Sequence, residues 1–226
     1  MKTSDARSYM VIDVGGTNVK VLADGKPEVV KIPSGPKMTP TLMVEEIRKV
    51  FPNPKFTAVA IGYPGPVING KPAVEPHNLS PGWVAFDYKR AFRCKVKIIN
   101  DAAMQALGGY EGGRMLFLGL GTGLGSALIV DGVLAPMELA HLPYMKKRTF
   151  EDYVGLRGLQ RLGKKKWREH VLDVVERLRA ALVADYVVLG GGNAKHLTEL
   201  PRNVKLGENA NAFKGGKRLL EQDSTV

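Results

Sequence analysis

Residues 9–24, YMVIDVGGTNVKVLAD, and residues 115–131, MLFLGLGTGLGSALIVD, share one design: an apolar, β-branched-rich run, a Gly/Thr turn, then a second apolar run. Each predicts strand, tight turn, strand. Glycine lets the backbone bend until several N–H groups converge on one point, and such a concavity binds anions. Two of these hairpins, one in each half of the chain, suggest a two-domain phosphotransferase holding a phosphate donor in the cleft between its domains. The simpler alternative is a pair of ordinary hairpin turns.

Two rival nucleotide-binding loops fail on context. Gly119-Leu120-Gly121-Thr122-Gly123-Leu124-Gly125 is glycine-rich like a dinucleotide fingerprint, but that fingerprint needs a helix straight after the glycines. Here SALIV and then Asp131-Gly132 follow, a strand running into a turn. Gly158…Gly163-Lys164-Lys165 has Walker A glycine spacing without the Ser/Thr that would hold magnesium, and it lies in a basic, helix-like stretch.

These residues need a scaffold, and a chain of 226 residues with 44% hydrophobic content can bury the core of one large domain or two compact ones. No apolar run is long enough to cross a membrane. The start, MKTSDARS, is polar and lacks a signal-peptide core, so the expectation is a cytoplasmic protein without a membrane partner. A single cysteine, Cys94, excludes an internal disulfide and a cysteine-cluster zinc site. The net charge of +11 concentrates at Lys146-Lys147-Arg148 and Lys164-Lys165-Lys166-Trp167-Arg168. Three readings stand: a solvated surface, a nucleic-acid face, or an electropositive rim that attracts a polyanion. No nucleic-acid-binding signature accompanies the charge, so no nucleic-acid partner is expected.

Strands are predicted at 9–14, 19–23 and near 28–32, then a helix over 41–50, a buried strand over 56–61, a strand at 96–99 and a helix from Ala102. Gly62 to Pro81, rich in Gly, Pro and Asn, suits the lining of a site better than a core element. The second half predicts strands at 115–120 and 126–130 with a third from Val133, helices at 150–162 and 167–183, a strand at 186–189 and a last helix over 212–220. Each half reads βββαβ followed by a helix, an α/β pattern with mixed sheets.

The ordered set Asp13-x-Gly15-Gly16-Thr17, Gly62-Tyr63-Pro64-Gly65-Pro66, Asn78-Leu79 with Trp83, Asn100-Asp101-Ala102, Leu120-Gly121-Thr122-Gly123 with Gly125, Glu138-x-x-His141 and Gly190-Gly191-Gly192-Asn193 spans nearly the whole chain. In this order it resembles the ROK sugar kinases of the actin-like ATPase superfamily, and within them the polyphosphate glucokinase branch. The resemblance implies two actin-like (ribonuclease H-like) α/β domains with mixed β-sheets flanked by helices and a cleft between them. They would cover residues 1–102, joined by the C-terminal helix 212–222, and residues 103–211. Closure of that cleft around the sugar would exclude water.

The implied reaction is phosphoryl transfer to the 6-hydroxyl of glucose or a close relative. A sugar hydroxyl is a poor nucleophile, and a carboxylate within hydrogen-bond reach can accept its proton as the bond forms. Asp101, after the apolar run VKII, is the candidate base; it also suits a helix N-cap, and both roles can coexist. Gly65, Asn78, Asn100, Asp101, Glu138 and His141 are the expected sugar contacts. Relatives use the equivalent histidine with a cysteine cluster to ligate zinc; that cluster is absent here, so no zinc is expected. Ala140 stands where relatives usually carry glycine. Trp83 packs either on the sugar pocket or in the core.

The phosphate or nucleotide contacts implied are Asp13, Gly15, Gly16, Thr17 and Lys20 in the first hairpin, and Gly121, Thr122, Gly123, Gly191, Gly192 and Asn193 in the second half. Asp13 would hold Mg²⁺ through water, because Mg²⁺ keeps most of its hydration shell. Lys20 could assist or simply face solvent. The donor is ATP, polyphosphate or both, with the basic clusters suited to a long polyanion. Relatives are often dimers. Alternatives are a kinase for another hexose or amino sugar, and a non-catalytic sugar-binding regulator.

Overall fold

The computed structural model describes residues 8–52, 56–208 and 210–222. The polar start of the chain (1–7) and Asn53-Pro54 of the Phe51–Pro54 break fall outside them. The chain divides into two compact units. One holds the described residues up to Met104 together with those from Ala212 onward, and the other is Gln105–Asn211.

The first unit begins with β1 (Tyr9–Val14), β2 (Asn18–Ala23) and β3 (Val30–Pro33), followed by helix α1 (Pro40–Val50) and β4 (Ala58–Tyr63). A two-residue hairpin, β5 (Val67–Ile68) and β6 (Lys71–Pro72), precedes helix α2 (Tyr88–Phe92), β7 (Lys95–Asn100) and helix α3 (Asp101–Gly109). The sheet order is β3-β2-β1-β4-β7. The opening strands pair antiparallel, whereas β1–β4 and β4–β7 are parallel, so the ends of β1, β4 and β7 share one edge. Met10, Ile12 and Val14 point to one face with Val19 and Val21, and pack there with Met43, Val44 and Ile47 of α1. Helix α1 starts before the predicted Thr41, because Thr39 accepts the Leu42 N–H at 3.1 Å and Pro40 occupies the first turn. Val11 points to the opposite face, where helix α6, introduced below, comes so close that a Cβ on Gly216 would stand 2.3 Å from Val11 Cγ1.

The second unit repeats the plan with β8 (Arg114–Leu120), β9 (Leu124–Val130), β10 (Val133–Met137), helices α4 (Phe150–Val154) and α5 (Leu156–Ala181), β11 (Tyr186–Gly190) and β12 (Val204–Leu206). The last helix, α6 (Asn211–Glu221), follows. Sheet order is β10-β9-β8-β11-β12, with β8–β11 and β11–β12 parallel. Leu116, Leu118, Val187 and Leu189 pack with Trp167, Val171, Val174 and Val175 of α5.

The helices predicted at 150–162 and 167–183 are corrected. The chain breaks first at Gly155, in extended conformation, and again at Gly163 (φ 73, ψ 162), inside α5. The turn Met145–Arg148 has Lys146 (φ 49) and Lys147 (φ 58) both left-handed, with the Arg148 N–H donating to Met145 O at 2.9 Å. That is type I′ geometry, where Asn and Gly are the usual occupants. No helix among the described residues is long and apolar enough to cross a membrane.

Candidate functional site

The predicted site residues fall into two sets, one in each unit. In the first unit, β1 runs into the turn Gly15-Gly16-Thr17. The Gly15 N–H donates to Asn18 O at 3.1 Å, and a Cβ on Gly15 would lie 2.9 Å from that same oxygen. A Cβ on Gly16 would lie 3.2 Å from the Asn78 Cβ, so the bare glycine lets Asn78 close on the turn. Asp13 and Lys20 are directly opposite across β1 and β2, and this register brings Lys20 Nζ to 3.0 Å from Asp13 Oδ2. Asp13 is 7% exposed, a buried carboxylate with its countercharge supplied. Lys20 is itself partly exposed within this pair.

The junction of β7 and α3 holds the second part of this set. Asn100 performs the capping: its Oδ1 accepts the Ala103 N–H at 3.1 Å, while its Nδ2 donates to Gly65 O at 3.1 Å. Asp101 is the first residue of α3, with its Oδ1 accepting the adjacent Ala102 N–H at 2.7 Å. The Cβ position of Gly62 is 3.5 Å from Asp101 Cα and 2.4 Å from Met104 Cε, so β4 ends in close contact with the first turn of α3 and a side chain here would have to displace the Met104 methyl. Since Asp13 pairs in register with Gly62, and Tyr63 with Asn100, the first unit gathers Asp13, Gly65, Asn100 and Asp101 at the carboxyl ends of its parallel strands. Open α/β sheets bind ligands at such edges.

Sequence reasoning missed two residues here. Glu75 accepts the backbone N–H groups of Gly82 (3.0 Å), Trp83 (2.9 Å) and Val84 (3.2 Å) on its two oxygens, and so pins the segment that carries Asn78. Trp83 belongs to the core: it is fully buried, donates Nε1–H to Ser80 O at 2.8 Å and packs on Tyr63. Ser34 Oγ is the one buried side-chain oxygen among the described residues without a hydrogen-bond partner. Its own N–H donates to Thr17 O at 2.9 Å, which sets this hydroxyl beside the first glycine turn. An orphaned buried hydroxyl has no local sequence signal.

In the second unit, two glycine loops meet. Asn193 donates its backbone N–H to Leu120 O and its Nδ2 to Gly121 O, both at 2.9 Å. Gly191 (φ 83) passes so close that a Cβ would lie 2.5 Å from Leu120 O. The surfaces of Gly121 and Gly192 are open, with no atom within 4 Å of a Cβ position. Glu151, which carried no sequence signal, accepts the Leu124 N–H at 3.2 Å and fills the space over Gly123.

Glu138 precedes the 3₁₀ turn Leu139–His141, and His141 is its last residue. Ser126 anchors it, its Oγ donating to Met137 O at 2.9 Å and accepting the Leu139 N–H at 3.1 Å. Ala140 is buried in the core beneath. Desolvation lifts the Glu138 carboxyl above the usual range; His141 pulls it back down and Glu151 pushes it further up, which places the three groups within electrostatic reach of one another. No cluster of three or more His, Cys, Asp or Glu suited to a metal occurs among the described residues.

No protein-family model matches the chain. The solved inorganic polyphosphate/ATP-glucomannokinase from Arthrobacter sp. strain KM superposes with a TM-score of 0.78 at 22% identity, over 95% of this chain and 99% of that one. The ROK-family glucokinase from Streptomyces griseus, solved with glucose and AMPPNP, gives a TM-score of 0.69 at 14% identity, covering 94% and 98%. The fold is that of the ROK-family sugar kinases. Two mixed sheets flanked by helices, the actin-like plan that the motifs implied, are therefore what the chain adopts. Among curated proteins it is similar to polyphosphate glucokinases from Mycobacterium leprae, 26% identical over 206 residues, and Mycobacterium tuberculosis (strain H37Rv), 27% identical over 207 residues. Each alignment covers 80% of this chain, and 62% and 76% of the respective relatives. The chain thus spans less than two thirds of the M. leprae protein.

Proposed function

We propose that this ROK-fold chain is a sugar kinase that transfers a phosphoryl group from polyphosphate or ATP to the 6-hydroxyl of glucose. The observation that carries this reading is the division of labour at the β7–α3 junction: Asn100 caps the helix and anchors Gly65, so Asp101 is not needed as the N-cap. In the reaction, the sugar 6-oxygen forms a bond to the terminal phosphorus as the bond from that phosphorus to the rest of the donor breaks. The hydroxyl proton passes to the Asp101 carboxylate. Asn78 and Asn100 serve the sugar in the first unit, and Glu138 and His141 in the second. The joined loops Gly121–Gly123 and Gly191–Asn193 hold the donor phosphates through backbone N–H groups. The Gly15–Thr17 turn and Lys20 offset charge on the transferred group.

Asp13 fits a hydrated magnesium ion: it is a single, nearly buried carboxylate with one oxygen committed to Lys20, which suits contact through water better than direct chelation. When bound, the ion would neutralise charge on the phosphoryl oxygens.

The test is initial-rate phosphorylation of glucose and of mannose by the purified protein with magnesium, run in parallel with ATP and with long-chain polyphosphate. Glucose phosphorylation, with higher kcat/KM for polyphosphate than for ATP, is expected. No sugar phosphate with either donor overturns the proposal.

Glu75 acts through the loop it pins. Glu75→Gln replaces one acceptor oxygen by an NH₂ group facing backbone donors, at a cost of about 1–3 kcal/mol. The melting temperature should fall and the KM for glucose rise several-fold, with kcat changing less. An unchanged KM in a destabilised variant would confine Glu75 to a purely structural role.

A further inference from the structure

Four of the described cations of the second unit pair with carboxylates: Arg157 with Glu151, Arg177 with Asp173, Arg179 with Glu176 and Lys205 with Glu111. Among the rest, one group is drawn together around a single turn. Lys164, Arg168, Lys195 and His196 make no ion pair with a carboxylate among the described residues. Arg168 Nε donates to the His196 carbonyl, which ties this part of α5 to the 3₁₀ turn Ala194–His196. The Trp167 ring stands edge-on to the His196 ring at 6.4 Å. Lys164 and Lys195 are exposed, and Arg168 and His196 are half-buried. Desolvation first, and then Lys164, Lys195 and Arg168, lower the His196 pKa, so the four groups feel one another's field.

Like charges gathered without a countercharge destabilise a fold unless an anion joins them. The position of this group identifies the anion. The turn Ala194–His196 follows directly on Asn193, which is hydrogen-bonded to Gly121 and Leu120 of the glycine hairpin. Three residues of 3₁₀ helix rise about 6 Å. The cations therefore begin about one helical turn beyond the open glycines Gly121 and Gly192, and extend onto α5. Positive charge thus continues from the turn after the glycine loops onto α5, which suits a ligand that carries many negative charges in succession. The other basic cluster does not share this path. Lys146 and Lys147 tip a turn whose Tyr144 meets His170 and Asp173, residues that stand roughly 140–160° around the α5 axis from Arg168 at about 100° per residue.

We propose that Lys164, Arg168, Lys195 and His196 form a polyphosphate track, an extension of the donor site that binds the phosphates trailing behind the one held by the glycine loops. The track rests on the phosphotransferase reading, which places the donor at Gly121–Gly123 and Gly191–Asn193. It serves a linear phosphate chain and not a nucleotide, whose sugar and base would meet cations with no charge to give them.

The test is direct binding of long-chain polyphosphate by calorimetry, without sugar, at two salt concentrations. It compares the wild-type protein, Lys164→Glu/Lys195→Glu, and the equally charged control Lys146→Glu/Lys147→Glu. The track variant should bind at least ten-fold more weakly, and its slope of log K against log salt should fall by about 1.4, from about 0.7 per neutralised phosphate on a single strand. The control should lose less than about two-fold, and Lys164→Ala/Lys195→Ala should reproduce the loss in part. Equal affinity of the wild-type and track variants overturns the proposal, as does wild-type binding of a single-stranded oligonucleotide as tight as that of polyphosphate. Because binding is read without turnover, loss of polyphosphate binding in the track variant of a protein that phosphorylates no sugar would uphold the track and reject the kinase reading.

Discussion

Asp101→Asn is expected to lower kcat for glucose phosphorylation by about 10²–10⁴-fold, the range over which a positioned general base contributes. The fold should survive. Asparagine keeps an acceptor for the Ala102 N–H, and the N-cap contact to Ala103 belongs to Asn100. The neighbouring variant gives the contrast: Asn100→Ala removes both the cap and the contact to Gly65 O, and should lower stability by about 1 kcal/mol as well as raise the sugar KM. Steady-state kinetics with thermal melts of both proteins separate the two effects. Near-wild-type turnover in Asp101→Asn would remove it as the base.

Gly191→Ala is expected to be the most damaging small substitution in the proposed donor site. Its φ of 83 costs an alanine about 1–2 kcal/mol. The new Cβ would also stand 2.5 to 2.7 Å from three backbone atoms of Leu120, which cannot rotate away. Overpacking of this kind adds about 1–3 kcal/mol. The least strained response is to pull the Gly191–Asn193 loop off the hairpin, breaking the Asn193 contacts to Leu120 and Gly121. The KM for either donor should therefore rise at least ten-fold and the melting temperature should fall by several degrees. Gly192→Ala, where a Cβ meets nothing within 4 Å, should change the melting temperature little. Equal melting temperatures for the two variants would contradict the close approach.

The contrast between these neighbouring glycines shows what a sequence conceals. Gly190-Gly191-Gly192 reads as one loop motif; only the paired loop shows that the second glycine is sterically required and the third is open. The hairpins were legible because alternation and a Gly/Thr turn are local properties. So were β7 and the helix after Asp101, since VKII is a short apolar strand and the residues after it are good helix formers. The capping role was not, because Asn and Asp are equally good caps and only the bond from the Ala103 N–H to Asn100 Oδ1 decides between them. Helix α2 and strand β12 have 5 and 3 residues, too few to show a period. The break at Gly155 was hidden inside an otherwise helix-like stretch. Glu75, Glu151 and the Arg168–His196 contact were invisible for one reason: their partners lie on other elements, and neither spacing nor composition records such contacts.

The central claim is that the chain moves a phosphoryl group onto the primary hydroxyl of glucose. Proton-coupled ³¹P NMR of the product formed from glucose, magnesium and polyphosphate tests it directly. The account predicts a sugar phosphate signal split by the two protons on carbon 6. A phosphate coupled to the single anomeric proton, or orthophosphate as the sole product, would contradict it.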